Sequence, residues 1–213
     1  MEKLVITPRY SDTKGPRELS SEIIQMLVEN ENFVVVGIGT SIPMVLSAIN
    51  LSRNIANINL YQVSFDYIPI PLFGKQETIF IELGREKKAP SQIVTEFEQL
   101  DEGTKNYRTV WVSRGQDLAR ITDEILYKIT INDNLRVMAS GIAIVLTIKS
   151  VLQAIQPGIS KNSLGVEAVV IESLKRRNDA TKMVPSIQIY IVKESINPPA
   201  YLDEIKEEIL KVD

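Results

Sequence analysis

The chain has 213 residues and a formal net charge of −3, with 44% hydrophobic and 6% aromatic side chains and neither cysteine nor histidine. This describes a globular chain of one large or two small domains; disulfides, thiolate metal sites and the commonest general base and metal ligand are absent, which excludes catalytic triads and zinc sites of the usual kinds. Charge is unevenly spread, because Lys193 to Asp213 holds three basic and six acidic residues and the other 192 residues balance to zero, whereas a protein that coats DNA generally is expected to be clearly basic.

The start, Met1 to Arg9, alternates apolar and polar residues and lacks the apolar core of a signal peptide. The most apolar stretch, Ile142 to Ile148, lies between Arg136 and Lys149 and falls well short of the roughly 20 residues a bilayer requires. The expected location is therefore cytoplasmic, with no membrane partner.

In chain order, residues 3–8 read as a strand and Ser11, Asp12 and Gly15-Pro16 as a turn. Leu19, Ile23, Ile24, Met26, Leu27 and Val28 follow at helical spacing. Phe33 to Val36 is a β-branched run closed by Gly37-Ile38-Gly39, and Thr40 or Ser41 can cap a second helix reaching about Arg53, with Pro43 tolerated in its first turn. Strands over Asn59–Ile68 and Glu77–Leu83 complete the unit, joined by a loop from Pro69 to Gln76. The same order returns after Asn106: a strand over Tyr107–Ser113, a turn at Gly115-Gln116, a helix carrying Leu118, Ile121, Ile125, Leu126 and Ile129, a strand over Leu135–Ala139 closed by Ser140-Gly141, and a helix over Ile142–Gln156 ended by Pro157-Gly158. A hairpin of Val166–Ile171 and Ser186–Val192 closes the second unit. Trp111 alternates with Val110 and Val112, so it lies on the opposite face from theirs, as a core anchor by preference or else as a surface stacker.

The chain thus reads as an internal duplication of one α/β unit of roughly ninety residues. A shift of 102 places Phe33 on Leu135, Val35 on Val137, Gly39 on Gly141, Ile42 on Ile144 and Ile49 on Val151; at the last strand the shift is 108, placing Ile79 on Ile187 and Ile81 on Ile189. The expected division is repeat one at 1–86, a polar linker at 87–105, repeat two at 106–195 and an acidic amphipathic helix within 196–213, with Leu202, Ile205, Ile209 and Leu210 on its packing side. Ile142 to Ile155 leaves almost no polar face, and a helix apolar all round must be covered on more than one side. Its expected second partner is the matching helix around Ile42 to Leu51, making the chain a single-chain imitation of a homodimer.

Phe33-Val-Val-Val-Gly-Ile-Gly-Thr-Ser-Ile with Thr78-Ile-Phe-Ile-Glu-Leu, and Leu135 to Ile144 with Ser186-Ile-Gln-Ile-Tyr-Ile, resemble the Alba superfamily of archaeal chromatin and RNA-associated proteins. The resemblance covers about 3–85 and 106–193 and implies two β-α-β-α-β-β units in an intramolecular pseudo-dimer. It further implies nucleic acid held between basic residues on the body and two protruding hairpins. The family's paired lysines after the first strand fall near Pro8-Arg9 and Arg114-Gly115, so each unit keeps one base, as arginine. The arginines beside the family's second-strand glycine are replaced by Ile38 and Thr40, and by Ser140 and Ile142.

Leu174-Lys-Arg-Arg-Asn-Asp-Ala-Thr-Lys182 carries four bases and one acid on one tip, which reads either as an arm that grips phosphate or enters a groove or as a solvated loop. The matching tip, Pro69-Ile-Pro-Leu-Phe73, is apolar; Leu72 and Phe73 offer a protein contact, a base stack or packing on the linker. Gly37-Ile38-Gly39-Thr40-Ser41 reads as a tight strand-to-helix turn in preference to a phosphate site, since Ile42 stands where a third glycine belongs and no lysine follows. No catalytic residue, metal ligand or cofactor is expected. The leading expectation is asymmetric binding of RNA or DNA through Lys175, Arg176, Arg177 and Lys182 with Arg114 and Arg9; the alternative is a non-catalytic protein-interaction module that has lost nucleic-acid binding.

Overall fold

The computed structural model describes residues 2–70, 73–85, 107–160, 163–176, 179–193 and 201–210. The linker expected at 87–105, together with Leu72, Arg177 and Asn197 to Pro199, lies outside the described residues.

The protein is mixed α/β, built on two four-stranded sheets. The first half runs β1 (Lys3–Ile6), α1 (Pro8–Ser11), α2 (Pro16–Glu29), β2 (Asn32–Ile38), a 3-10 turn (Gly39–Ser41), α3 (Ile42–Ile55), β3 (Asn59–Ile70) and β4 (Gly74–Gly84). The second runs β5 (Arg108–Val112), α4 (Leu118–Ile131), β6 (Asn134–Ser140), α5 (Ala143–Ile155), β7 (Gly165–Arg176) and β8 (Asp179–Val192), and α6 (Tyr201–Ile209) follows. The strand orders correspond, β1-β2-β4-β3 and β5-β6-β8-β7, with the first pair of each sheet parallel and the others antiparallel. The overlaid residues occupy equivalent positions: Val35 faces Ile81 as Val137 faces Ile189, and Gly37 faces Ile79 as Ala139 faces Ile187. Each sheet also slips register near the start of its third strand, at Leu60/Gln62 and Val166/Ala168.

Helix starts follow local chemistry. Pro16 opens α2, where a missing N–H is harmless, and the Glu18 carboxylate accepts from the Gly15 N–H at 3.1 Å. Asp117 caps α4 by accepting from the Arg120 N–H at 3.1 Å. α2 and α4 bury one stripe each, Leu19, Ile23 and Leu27 in one and Ile121, Ile125 and Ile129 in the other.

α3 and α5 behave differently. No residue from Ile42 to Arg53 or from Ala143 to Ile155 is exposed. Besides its own half, α3 contacts α5, β7 and β8, while α5 contacts β3 and β4. One hydrophobic core therefore runs through both halves, from Ile6 and Phe33 to Ile189 and Ile191; full burial of each such isoleucine stabilises by about 1.5–3 kcal/mol. The few hydroxyls in these helices bond inward: Ser52, Thr147 and Ser150 donate to the carbonyls of Ala48, Ala143 and Leu146 at 2.8–3.0 Å.

α6 packs on the outer face of the first sheet, with Leu202, Ile205 and Ile209 against Val34, Val36, Ile38, Ile68 and Phe80. Lys206 pairs with Asp66 and Lys3 with Glu208 at its flanks. Leu210, expected on the packed side, is 41% exposed. No helix among the described residues is long and apolar enough to cross a membrane.

Several boundaries differ from the sequence expectation. The first strand stops at Ile6 because Pro8 opens the one-turn helix α1. The Pro69–Gln76 loop is largely strand: β3 continues to Ile70, and Gly74, at φ 70°, turns the chain directly into β4. Pro69 is accommodated because β3 is an edge strand, where a missing donor breaks no ladder. Trp111 is 64% exposed and not a core anchor, while Val110 and Val112 are buried; it does lie opposite the valines, but that face is open on edge strand β5. α5 begins at Ala143, leaving Ile142 exposed before it.

Gly39 and Gly141 sit at equivalent strand-to-helix turns with φ of 54° and 57°, where an L side chain costs about 1–2 kcal/mol. A Cβ would also meet Gln76 Oε1 at 3.1 Å in the first and Val184 Cγ1 at 3.2 Å in the second. Gly39→Ala and Gly141→Ala are each expected to destabilise by at least about 1–2 kcal/mol, read as a lower urea midpoint at unchanged slope.

Candidate nucleic-acid interface

The parallel β5–β6 pair fixes which end of the second sheet carries the basic residues. Val112 faces Ala139 and Ser140 faces Ser186, so Arg114 and the part of β8 preceding Ser186 both extend beyond the same end. There β7 and β8 leave the core as a two-stranded arm. Ile171 and Ile187 are buried, whereas Leu174 is 39% and Met183 56% exposed, and Lys175 and Arg176 are exposed. Lys175 and Arg176 lie in the ladder, opposite Met183 and Asp179, and the slip between these pairs makes Ala180 to Lys182 a bulge. The expected 174–182 loop is thus shorter, with strand on both sides.

The acid at the tip is committed locally. Asp179 Oδ1 accepts from the Thr181 hydroxyl at 2.5 Å and from the Thr181 N–H at 3.1 Å, and Oδ2 lies 3.4 Å from Lys182 Nζ. The Thr181 hydroxyl bond, followed by the Thr181 backbone bond, holds the Asp179 carboxyl below its ordinary range. Lys182 is accordingly partnered. Among the described residues, Lys175, Arg176, Arg114 and Arg9 are in no ion pair.

The first half presents an analogous end with different chemistry. Arg9 is exposed on α1, just past the end of β1, and beyond Thr78 the β3–β4 arm extends past the same sheet end. This arm ends in Phe73, 61% exposed, and carries Lys75 opposite Pro69. The glycine turn at the start of α3 is closed internally: Ser41, fully buried, accepts from the Ile38 N–H at 3.0 Å and lies 2.8 Å from the Ile6 carbonyl. That is the construction of a structural turn.

Where the halves meet, the two sides of the molecule differ. On one side Tyr67 donates to the Lys149 carbonyl at 3.3 Å, and Lys149 Nζ lies 3.7 Å from the buried Glu77 carboxylate. Burial, then the Glu77 charge, pushes the Tyr67 phenol up. On the other side Asn50 donates to Ser173 Oγ at 3.0 Å, and an open groove of about 520 Å³ runs between the end of α3 and the base of the basic arm. Its lining includes Asn50, Arg53, Asn54 and Asn57, none of them among the sequence-derived candidates. The available signal was amide density, four asparagines in the ten residues from Asn50 to Asn59.

No family model matches the chain, and no curated protein matches it significantly.

Beside Arg9, Tyr10 donates to Glu22, which also pairs with Lys14, and the Lys14 ammonium lies 4.9 Å from the Tyr10 ring centre. Burial, then the bond to Glu22, raises the Tyr10 phenol from 10.0 to about 12. A phenol whose folded pKa exceeds its unfolded value contributes stability fully below pH 10 and loses it as pH rises toward 12. The urea midpoint is therefore expected to fall less between these limits in Tyr10→Phe than in the unaltered protein; parallel curves would count against the raised Tyr10 pKa.

Proposed function

We propose that this protein binds nucleic acid, RNA or DNA, without catalysis, and that it does so asymmetrically, with the β7–β8 arm as the main contact and Arg114 and Arg9 at the strand ends as lesser ones. The observation that carries the reading is the form of the arm: a ladder leaving the core with Lys175 and Arg176 solvent-facing and in no ion pair among the described residues. Cations held on a projecting ribbon can follow a phosphate backbone or enter a groove. The corresponding strand orders and the reciprocal contacts of α3 and α5 support the finer reading of two Alba-like units fused into a pseudo-dimer. A near-neutral body makes the interaction local, so the phosphates neutralised are few.

The exposure of Phe73 on the other arm favours a second reading, a protein-contact module in which nucleic-acid binding has been lost. Salt dependence separates the two. Fluorescence anisotropy with labelled duplex DNA and RNA is expected to show affinity falling with salt. Lys175→Ala, Arg176→Ala and Arg177→Ala combined are expected to reduce the log–log slope by roughly three, at about 0.9 for each phosphate that is no longer neutralised. An unchanged slope removes the arm from the interface. Absence of salt-sensitive binding leaves the protein-contact reading, to be tested by partner capture with Phe73→Ala as control.

A further inference from the structure

The groove beside the basic arm has a composition that the arm alone does not explain. Asn50, Arg53, Asn54 and Asn57, from the last turns of α3 and the segment after it, face Ser173 and Met183 of the arm. Asn54, Asn57 and Met183 are exposed, and Ile58 and Ile171 are buried among the same lining. The volume, about 520 Å³, lies within the roughly 300–1,000 Å³ of small-ligand sites.

The groove also breaks the correspondence between the halves. At the shift of 102, Asn50 and Arg53 fall on Leu152 and Ile155 while Asn54 falls on Gln156, so the equivalent end of α5 is less polar. That side carries the Tyr67–Lys149 hydrogen bond and the Lys149–Glu77 pair. The amide groove thus lies on the same side of the molecule as the basic arm.

Resting on the nucleic-acid reading above, we infer that this groove receives an unpaired nucleobase of the strand whose phosphates the arm holds. Asparagine side chains present a donor and an acceptor side by side, as a base edge does. Met183 offers a polarisable apolar surface to a base face. Glu172, on the same lining, accepts from Gln188 at 2.8 Å; a carboxylate there disfavours a bare phosphate and suits a base bearing amino groups. A base paired and stacked in a duplex cannot enter, so the groove selects single-stranded or looped segments.

The experiment is anisotropy titration of the unaltered protein and of Asn54→Ala/Asn57→Ala against a labelled single-stranded oligonucleotide and a blunt duplex of the same sequence. Both positions are exposed, and urea unfolding checks that the variant folds. The unaltered protein is expected to favour the single strand, and the variant to lose about tenfold in affinity for it, a typical base-edge contribution, with duplex affinity and salt slope unchanged. Equal loss on both ligands, or no loss on the single strand while salt-sensitive binding persists, overturns the groove and leaves the arm standing. Salt-insensitive or absent binding by the unaltered protein overturns both.

Discussion

From Ile42 to Arg53 of α3 and from Ala143 to Ile155 of α5 every residue is at least partly covered. A helix resting on its own sheet hides only one stripe, so each needs a second apolar surface. Each finds it on the other half of the chain, α3 against β7, β8 and α5, and α5 against β3 and β4. The single core through both sheets follows from this requirement, as does the placing of the end of α3 beside the second arm. Withdrawing either half would uncover buried apolar residues of the helix that remains, Ile42, Val45, Leu46 and Ile49 in α3 or Ile144, Ile148 and Val151 in α5.

Interlocking within one chain has a further effect. Two copies of one polypeptide related by symmetry must carry the same residue at every equivalent position, whereas two halves of one chain are free to differ. Here they differ in charge and openness. One arm ends in Phe73 and the other carries Lys175 and Arg176. One junction holds the nearly buried Glu77 against Lys149, while the other leaves asparagines around an open groove. A buried carboxylate needs a counter-charge close by, and the Lys149 ammonium supplies one to Glu77 at 3.7 Å.

The sequence carried the element order and the equivalence of the halves because hydrophobic period and turn glycines are local signals. Gly39 and Gly141 can be matched from the amino-acid order alone, and both adopt positive φ. The strand alternation placed Trp111 opposite its valine neighbours correctly, but could not tell that this face is open on an edge strand. The arms were underestimated for a related reason. Pro69 looks like a loop residue until β3 is known to be an edge, and Lys175 and Arg176 look like tip residues until their partners across the ladder are known. The basic tip was visible as composition, with Arg177 outside the described residues. The groove was not, since it exists only where Asn50 meets Ser173, 123 positions along the chain.

The packing of α6 on the first sheet bears on how the protein is made. Val34, Val36 and Phe80 are covered by Leu202 and Ile205, residues translated long after the sheet they shelter. At roughly 5–20 residues per second, the ribosome leaves that apolar surface uncovered for on the order of ten seconds after β4 emerges. During that interval the nascent chain offers an open sheet face to chaperones and to neighbouring chains, and completion of the first sheet does not end its exposure.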